Sequence, residues 1–298
     1  MKKLVFGSLN IDRTYQVAAF VRPKETISAL GYSCFCGGKG FNQAVALARA
    51  GSRLYFAGVI GADGGMLRQG LLDEHIDIRL LKESEGANGH AVIQVNEQGE
   101  NCIIVVPGSN AEVSRDYVDT VLAEFSQGDL IVLQNEIPHL DYIIEQAGEK
   151  GMVIALNPSP FNEAIMKCRL DRVRYLLINE VEGGELTGRQ APQEILDAIH
   201  GRLPDTAVVL TLGEDGAYFM AADGQRLHCP AVPCQCVDTT AAGDTFTGYF
   251  LTEYLEHADA AEALSRAAAA SAIAVSRKGA STSIPRREEV LRAVGARA

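Results

Sequence analysis

The sequence predicts an α/β fold in three layers: helices on both faces of a mainly parallel central sheet, with a small β lid over one end. Three observations carry this expectation. Short apolar runs flanked by Gly or Pro recur at residues 4–6, 54–60, 130–133, 153–156, 175–178 and 208–212. Helix-period stretches such as 42–50, 118–125 and 140–147 lie between most of them, and this alternation covers a parallel sheet on both sides. Two stretches break the rhythm: residues 26–36 alternate like an extended strand, and 90–95 with 101–106 read as a hairpin around Glu97-Gln98-Gly99. These two have no helices to cover them, so they are expected to form a lid, built from about 12–36 and 88–107, on a single domain of 298 residues.

Composition sets the limits on partners. With 47% hydrophobic and 22% charged residues the chain can bury a real core. Lys and Arg number 27 against 38 Asp and Glu, a net charge of −11, so no basic surface exists for nucleic acid. An anionic substrate would have to be held by backbone N–H groups, helix N-termini or a bound cation. The opening MKKLVFGSLNID has too short an apolar run for a signal peptide, and no later run approaches ~20 apolar residues. The chain reads as cytoplasmic, with no membrane partner. Its seven cysteines are expected to be reduced, small and buried; Cys34-x-Cys36 and Cys234-x-Cys236 lack the usual zinc spacing. Six scattered histidines lack metal-ligand spacing, and only His90 falls near an expected pocket. The Ala-rich stretch 260–274 suits close helix packing.

Taken in chain order, three segments carry chemistry. Gly7-Ser8-Leu9-Asn10-Ile11-Asp12 follows the first strand, at the carboxyl end where open α/β sheets bind ligands. Spacing by two keeps Asn10 and Asp12 on one side of an extended segment, although an Asx turn uses the same residues. Gly37-Gly38-Lys39-Gly40-Phe41-Asn42-Gln43 is a glycine turn entering a helix; it matches neither the P-loop nor the G-x-G-x-x-G pattern, and taken alone it favours a tight structural turn. The sharpest segment is Val237-Asp238-Thr239-Thr240-Ala241-Ala242-Gly243-Asp244-Thr245-Phe246, where small residues lead into a helical pattern running to about Glu256. First-turn N–H groups have no intrahelical acceptor, so this turn is an anion hole with a carboxylate beside it. Hydroxyl-to-phosphate transfer needs that pairing of base and donors. An Asp capping an ordinary helix satisfies the same local pattern.

These segments, with Asn157-Pro158, Asn179-Glu180-Val181-Glu182, Thr211-Leu212-Gly213 and Arg277-Lys278-Gly279-Ala280 in the same order, resemble the ribokinase-like (phosphofructokinase B-type) sugar kinases over nearly the whole chain. The resemblance implies that family's fold and residue roles. Asn10, Asp12, Gly38, Lys39 and Asn42 fall at positions that hold sugar hydroxyls, and Glu136 at a further sugar ligand; Ala91 and Ile103 fall at lid positions that touch the sugar. Asp244 falls at the catalytic base, and the N–H groups of Ala241, Ala242, Gly243 and Asp244 at the hole over the γ-phosphate. Asn179 and Glu182 match an Asn-x-x-Glu element that organises Mg2+, water and phosphates. Thr211, Leu212, Gly213, Glu214, Asp215 and Gly216 match a nucleotide-binding stretch. Asp238, Thr240, Ala274, Arg277, Gly279 and Ser283 match positions whose oxygens, mostly backbone carbonyls, bind K+ beside the anion hole.

By the same resemblance the activity is ATP-dependent phosphorylation of a small sugar, with ribose at its 5-hydroxyl favoured, and the lid edges are expected to pair in a homodimer. The alternatives are a kinase of the family acting on fructose, 2-keto-3-deoxygluconate, adenosine or pseudouridine, and a non-catalytic sugar sensor, against which Asp244 with Asn179 and Glu182 argues. The family often has Gly-Ala-Gly-Asp where this chain has Ala241-Ala242-Gly243-Asp244, an alanine that its ribose-acting members tolerate. Phe41, in place of a common alanine, and His90, in place of an apolar residue, are expected to reshape the sugar pocket.

Overall fold

The computed structural model describes residues 1–296. The N-terminal half runs β1 (Lys3–Phe6), β2 (Asn10–Gln16), β3 (Gly31–Gly37), α1 (Lys39–Arg49), β4 (Tyr55–Ile60), α2 (Gly65–Asp73), β5 (Asp77–Glu83), β6 (Gly89–Val95), β7 (Asn101–Val106) and α3 (Arg115–Ala123). Then follow β8 (Leu130–Gln134), α4 (Leu140–Glu149), β9 (Val153–Asn157), β10 (Val173–Asn179), α5 (Glu180–Thr187), α6 (Pro192–Arg202) and β11 (Ala207–Thr211). The chain ends with β12 (Ala217–Met220), β13 (Arg226–Cys229), α7 (Ala242–His257), α8 (Ala260–Val275) and α9 (Arg287–Gly295).

The large sheet has the order β13-β12-β11-β10-β9-β8-β1-β4-β5, parallel throughout except for the antiparallel β11–β12 and β12–β13 pairs at one edge. Its strands read as continuous apolar runs because both faces are covered. Alternation then sorts the side chains: Val5, Leu130 and Val132 enter one core with Leu47, Phe250 and Leu264, while Leu4, Phe6, Ile131 and Leu133 enter the other with Leu122, Ile143 and Leu196. Helices α1, α7 and α8 thus cover one face and α3, α4 and α6 the other. Among the described residues no helix is long and apolar enough to cross a membrane.

The smaller sheet has the order β3-β2-β6-β7. Its strands β2 and β3 start at Asn10 and at Gly31, whereas the sequence pattern suggested an extended run from residue 26; residues 26–30 are exposed and precede the β2–β3 register, with only the Leu30 amide bonded to Gln16 O at 2.7 Å. Asp12 pairs with Phe35 on one side and Ala91 on the other, so Asp12, Phe35 and Ala91 share one face, and Ile11, Cys36 and His90 share the opposite one. His90 therefore does not share the Asp12 face, contrary to expectation; its ring Nδ1 lies 3.1 Å from the Asn88 carbonyl oxygen.

Phe41 corrects the second expectation. Its residue is 1% exposed, and its ring packs so closely on α2 that a Cβ at Gly70 would lie 2.8 Å from it. The ring belongs to the α1–α2 core, where burying it contributes about 2–3 kcal/mol.

Candidate active site

The site forms where the lid strands, α1 and the start of α7 meet at the carboxyl ends of the central strands. Gly38 caps α1 with φ 88° and ψ 140°, a conformation reserved for glycine, and a Cβ there would lie 2.9 Å from the Asn10 nitrogen. Gly40 allows α1 to enter against β1, since a Cβ would meet the Ser8 nitrogen at 2.4 Å. The glycine turn is thus a close-packing device that brings α1 under the lid.

Asp244 stands in the first turn of α7, 6% exposed. Its Oδ2 accepts a hydrogen bond from Asn42 Nδ2 at 3.1 Å and its Oδ1 one from Gln43 Nε2 at 2.9 Å. The residue before α7, Ala241, is left-handed with φ 61°, in the place where a glycine is common. The turn closes through Ala242 N to Thr239 O at 3.2 Å and Thr245 N to Ala241 O at 2.8 Å. The N–H groups of Gly243 and Asp244 keep no acceptor among the described residues. A Cβ placed on Gly243 would meet nothing within 4 Å, so open space lies in front of these donors.

Around Lys39 the charges are dense. Glu136 Oε2 accepts the Lys39 backbone N–H at 2.8 Å and the Ser8 hydroxyl, tying the β8 end to the α1 start. Burial pushes the Glu136 carboxyl up, against the opposing effects of Ser8 and Lys39. Asp12 is pushed up to about 7, by burial first and then by the Glu136 and Asp244 carboxylates. For Lys39, burial opposes the charge, yet Asp244, Glu136 and Glu182 outweigh it and raise the ammonium above its ordinary value. Asn10 Oδ1 accepts from Asn110 Nδ2 at 2.8 Å, which leaves the Asn10 amide donors for other partners. Asn110 in turn holds the Leu9 backbone, with its Oδ1 2.9 Å from Leu9 N.

Asn179 and Glu182 form a reciprocal cap at the start of α5: Asn179 Oδ1 accepts from Glu182 N at 2.8 Å, and Glu182 Oε2 from Asn179 N at 3.1 Å. Glu182 Oε1 accepts no hydrogen bond among the described residues. A cavity of about 200 Å³ brings together Lys39, Asn179, Glu182, Thr211, Gly243 and Asp244. It continues through Thr211, Thr239, Ala242 and Gly243 into a second cavity of about 560 Å³.

The larger cavity bears on several expectations from the sequence. Of the stretch matched to nucleotide binding, Thr211, Gly213, Glu214 and Gly216 line it, while Leu212 is buried against the core and the Asp215 backbone carbonyl lies 2.9 Å from His228 Nε2. Its apolar wall includes Val232, Pro233 and the α8 residues Ala268 and Ala272, to which sequence reasoning gave only a packing role. Small residues four apart on one helix were the available signal. None of the seven thiols is fully buried, contrary to expectation: all are free, Cys34, Cys102, Cys234 and Cys236 are exposed, and Cys234 and Cys236 line this cavity. No cluster of three or more His, Cys, Asp or Glu suited to a metal occurs among the described residues. Ala91, 5% exposed, shares the Asp12 face; Ile103 lies on the same face by register but on the outer strand β7, 52% exposed.

Beside α7, the segment before the turn pairs with the end of α8: Val237 N and Asp238 N both donate to Val275 O, at 2.8 and 3.1 Å. Asp238 then binds Thr240 and the Gly279 amide, while Arg277 donates to Glu289 and the Ser283 hydroxyl to Ala280 O. Hydrogen bonds from Thr240 and Gly279 and the nearby Lys278 outweigh burial and hold the Asp238 carboxyl below its ordinary value. Arg49 of α1 donates to Ser281 O at 2.9 Å, and the Ser281 hydroxyl to Cys36 O of the lid at 3.0 Å.

A sheet of this topology, a lid, and a buried carboxylate beside free helix-start donors define a kinase-type site, and the chain belongs to the pfkB family of carbohydrate kinases, which it matches over residues 2–287. It is 35% identical over 297 residues to the ribokinase of Haemophilus influenzae, covering 96% of each chain. It superposes on the ribokinase of Thermotoga maritima with a TM-score of 0.87 at 32% identity, covering 99% of each chain. The ribokinase of Arabidopsis thaliana complexed with ribose and ATP gives a TM-score of 0.84 at 30% identity, covering 98% of each chain.

Proposed function

We propose that this carbohydrate kinase is a ribokinase, transferring the γ-phosphoryl group of ATP to the 5-hydroxyl of ribose. The observation that carries the reading is Asp244: a buried carboxylate, gripped by two amides, in the same helix turn as the unpaired N–H donors of Gly243 and Asp244, which open on a cavity. The relatives named above act as context, since one was solved with ribose and ATP.

In this reading ribose lies between Lys39, Asn42, Glu136 and the lid residues Asn10, Asp12 and Ala91. Asp244 accepts the hydroxyl proton as the oxygen attacks the γ-phosphorus in line and ADP departs. The Gly243 and Asp244 N–H groups meet the charge on the transferred group, and Lys39, among three carboxylates, balances it. Closure of the lid excludes water that would otherwise take the phosphoryl group. The adenosine part of ATP fits the 560 Å³ cavity, whose apolar wall suits a base.

Two ions belong to the proposal. Glu182, with one carboxylate oxygen free beside the cavity, and Asn179 fit Mg2+ carried with ATP, which supplies neutralisation of phosphate charge. The all-oxygen set at Asp238, Thr240, Ala274, Arg277, Gly279 and Ser283 lies on two segments already hydrogen-bonded together, which fits K+ as a brace for the α7 turn. The lid sheet also leaves the edge strand β7 with Ile103, Ile104 and Val105 each more than half exposed, and pairing with a second copy would cover them. Light scattering that gives a monomer at working concentration would remove that part.

The test of function is coupled ADP release with Mg-ATP and K+ across ribose, deoxyribose, fructose, 2-keto-3-deoxygluconate, adenosine and pseudouridine. Saturable turnover at low ribose concentration, with little on the rest, is the expected outcome. Preference for another acceptor would move the substrate, and silence on all of them would favour a sugar sensor.

A further inference from the structure

We infer that Gln43 is a positioning residue for Asp244, and that Gln134 and Asn157 fix it through a chain of amides anchored on a backbone carbonyl. This rests on the reading of Asp244 as the base. Gln43 is fully buried on α1, behind the sugar-side residue Asn42. Its Nε2 donates both to Asp244 Oδ1 at 2.9 Å and to Asn157 Oδ1 at 3.1 Å, so its two N–H donors are committed. Its Oε1 accepts from Gln134 Nε2 at 2.7 Å.

The direction of every amide in the chain follows from one fixed group. Asn157 Nδ2 donates to the Leu177 carbonyl at 2.8 Å, which turns Asn157 Oδ1 toward Gln43. An oxygen there requires Gln43 to present its nitrogen, and that nitrogen then also faces Asp244. The remaining Gln43 oxygen meets the Gln134 amide nitrogen. A β10 carbonyl thereby dictates, through β9 and α1, that Asp244 Oδ1 meets a donor. With Oδ1 held by Gln43 and Oδ2 by Asn42, the carboxylate plane is fixed before substrate arrives, and each oxygen meets one neutral N–H donor. A buried amide that merely joined helix to sheet would contribute to stability without touching the protonation of Asp244.

The experiment uses the full chain and three readouts. Gln43→Met keeps length and burial but removes the donors; Gln134→Met leaves Gln43 Oε1 unpaired and loosens it without reaching Asp244. We expect kcat for the best acceptor to fall about 30-fold in Gln43→Met and about 5-fold in Gln134→Met, with the KM values for sugar and ATP within threefold of wild type. The acid limb of the kcat–pH profile should move upward in Gln43→Met, and the carboxyl 13C titration of Asp244 should move upward with it, a signal that needs no turnover. Unchanged kcat and an unchanged Asp244 titration in a folded Gln43→Met protein would overturn the inference. If that variant does not fold, an unchanged limb and titration in Gln134→Met would do the same. A moved Asp244 titration in a chain inactive on every acceptor would keep the positioning role and reject the kinase reading instead.

Discussion

Asp238 accepts a hydrogen bond from the Gly279 amide at 3.0 Å through Oδ2, while its Oδ1 holds the Thr240 amide at 2.9 Å. One carboxylate therefore ties the loop after α8 to the turn that carries the donors of α7. A cation held by oxygens of those two segments would stiffen the same joint. The expected result is activity in K+ about tenfold above that in a large organic cation, or ~1.4 kcal/mol in the barrier. Asp238→Ala should lower kcat by a similar factor and flatten the response to K+. Steady-state rates in potassium-only, sodium-only and organic-cation buffers decide it, and equal rates in all three would remove the site.

Asp244→Asn keeps the size of the side chain and removes its basicity. The amides of Asn42 and Gln43 would then face one NH2 group in place of a second acceptor oxygen, so a modest loss of stability accompanies the chemical effect. We expect kcat to fall by about 10²–10⁴, the range for general-base removal, with ATP still bound. Turnover near the wild-type rate would rule out Asp244 as the base.

How much of this was legible in the sequence differs from element to element. The six apolar runs became strands β1, β4, β8, β9, β10 and β11 within a residue or two, because burial on both faces leaves an unbroken apolar signature. The hairpin β6–β7 was equally plain, with its turn at residues 96–100. Strand β2 was harder, since Arg13, Thr14 and Tyr15 are half-buried and carry no strong alternation. The polar anchors of the site were expected from the family resemblance of the motifs, but Gln43–Asp244 and Gln43–Gln134 join residues 201 and 91 positions apart, a pairing no local pattern encodes. The same holds for Phe41 and His90, whose directions depend on the α1–α2 packing and on lid register.

Gly243→Ala separates folding from chemistry. The position is helical, and a methyl group there meets no protein atom within 4 Å. Helix propensity favours alanine by up to about 1 kcal/mol, so the melting temperature should hold or rise slightly. The methyl projects into open space beside the free donors, where a phosphoryl group would have to approach, and kcat/KM for ATP should fall at least tenfold. Thermal melts and ATP kinetics on the one variant check both halves; undiminished ATP kinetics would place the phosphoryl group elsewhere.

With Asp12 as the proposed sugar ligand, sugar binding is expected to depend on pH. Its carboxyl is pushed up to about 7 by burial and by its neighbours Glu136 and Asp244. Because this lies above the value in the unfolded chain, ~3.9, the protonated form favours the unliganded fold. That contribution is full below about pH 4 and is lost as the pH rises through about 7. Sugar hydroxyls donating to Asp12 favour the ionised form instead, so bound sugar pulls the group back down. Near pH 7 a fraction of the unliganded molecules carries the proton, and binding should release a fraction of a proton per site. Below that pH the sugar affinity should weaken by up to tenfold per unit. Calorimetry in two buffers of different ionisation enthalpy measures the released proton directly. Asp12→Asn should bring the release near zero and flatten the acid dependence of affinity, whereas proton release unchanged in that variant would assign the titration to another group.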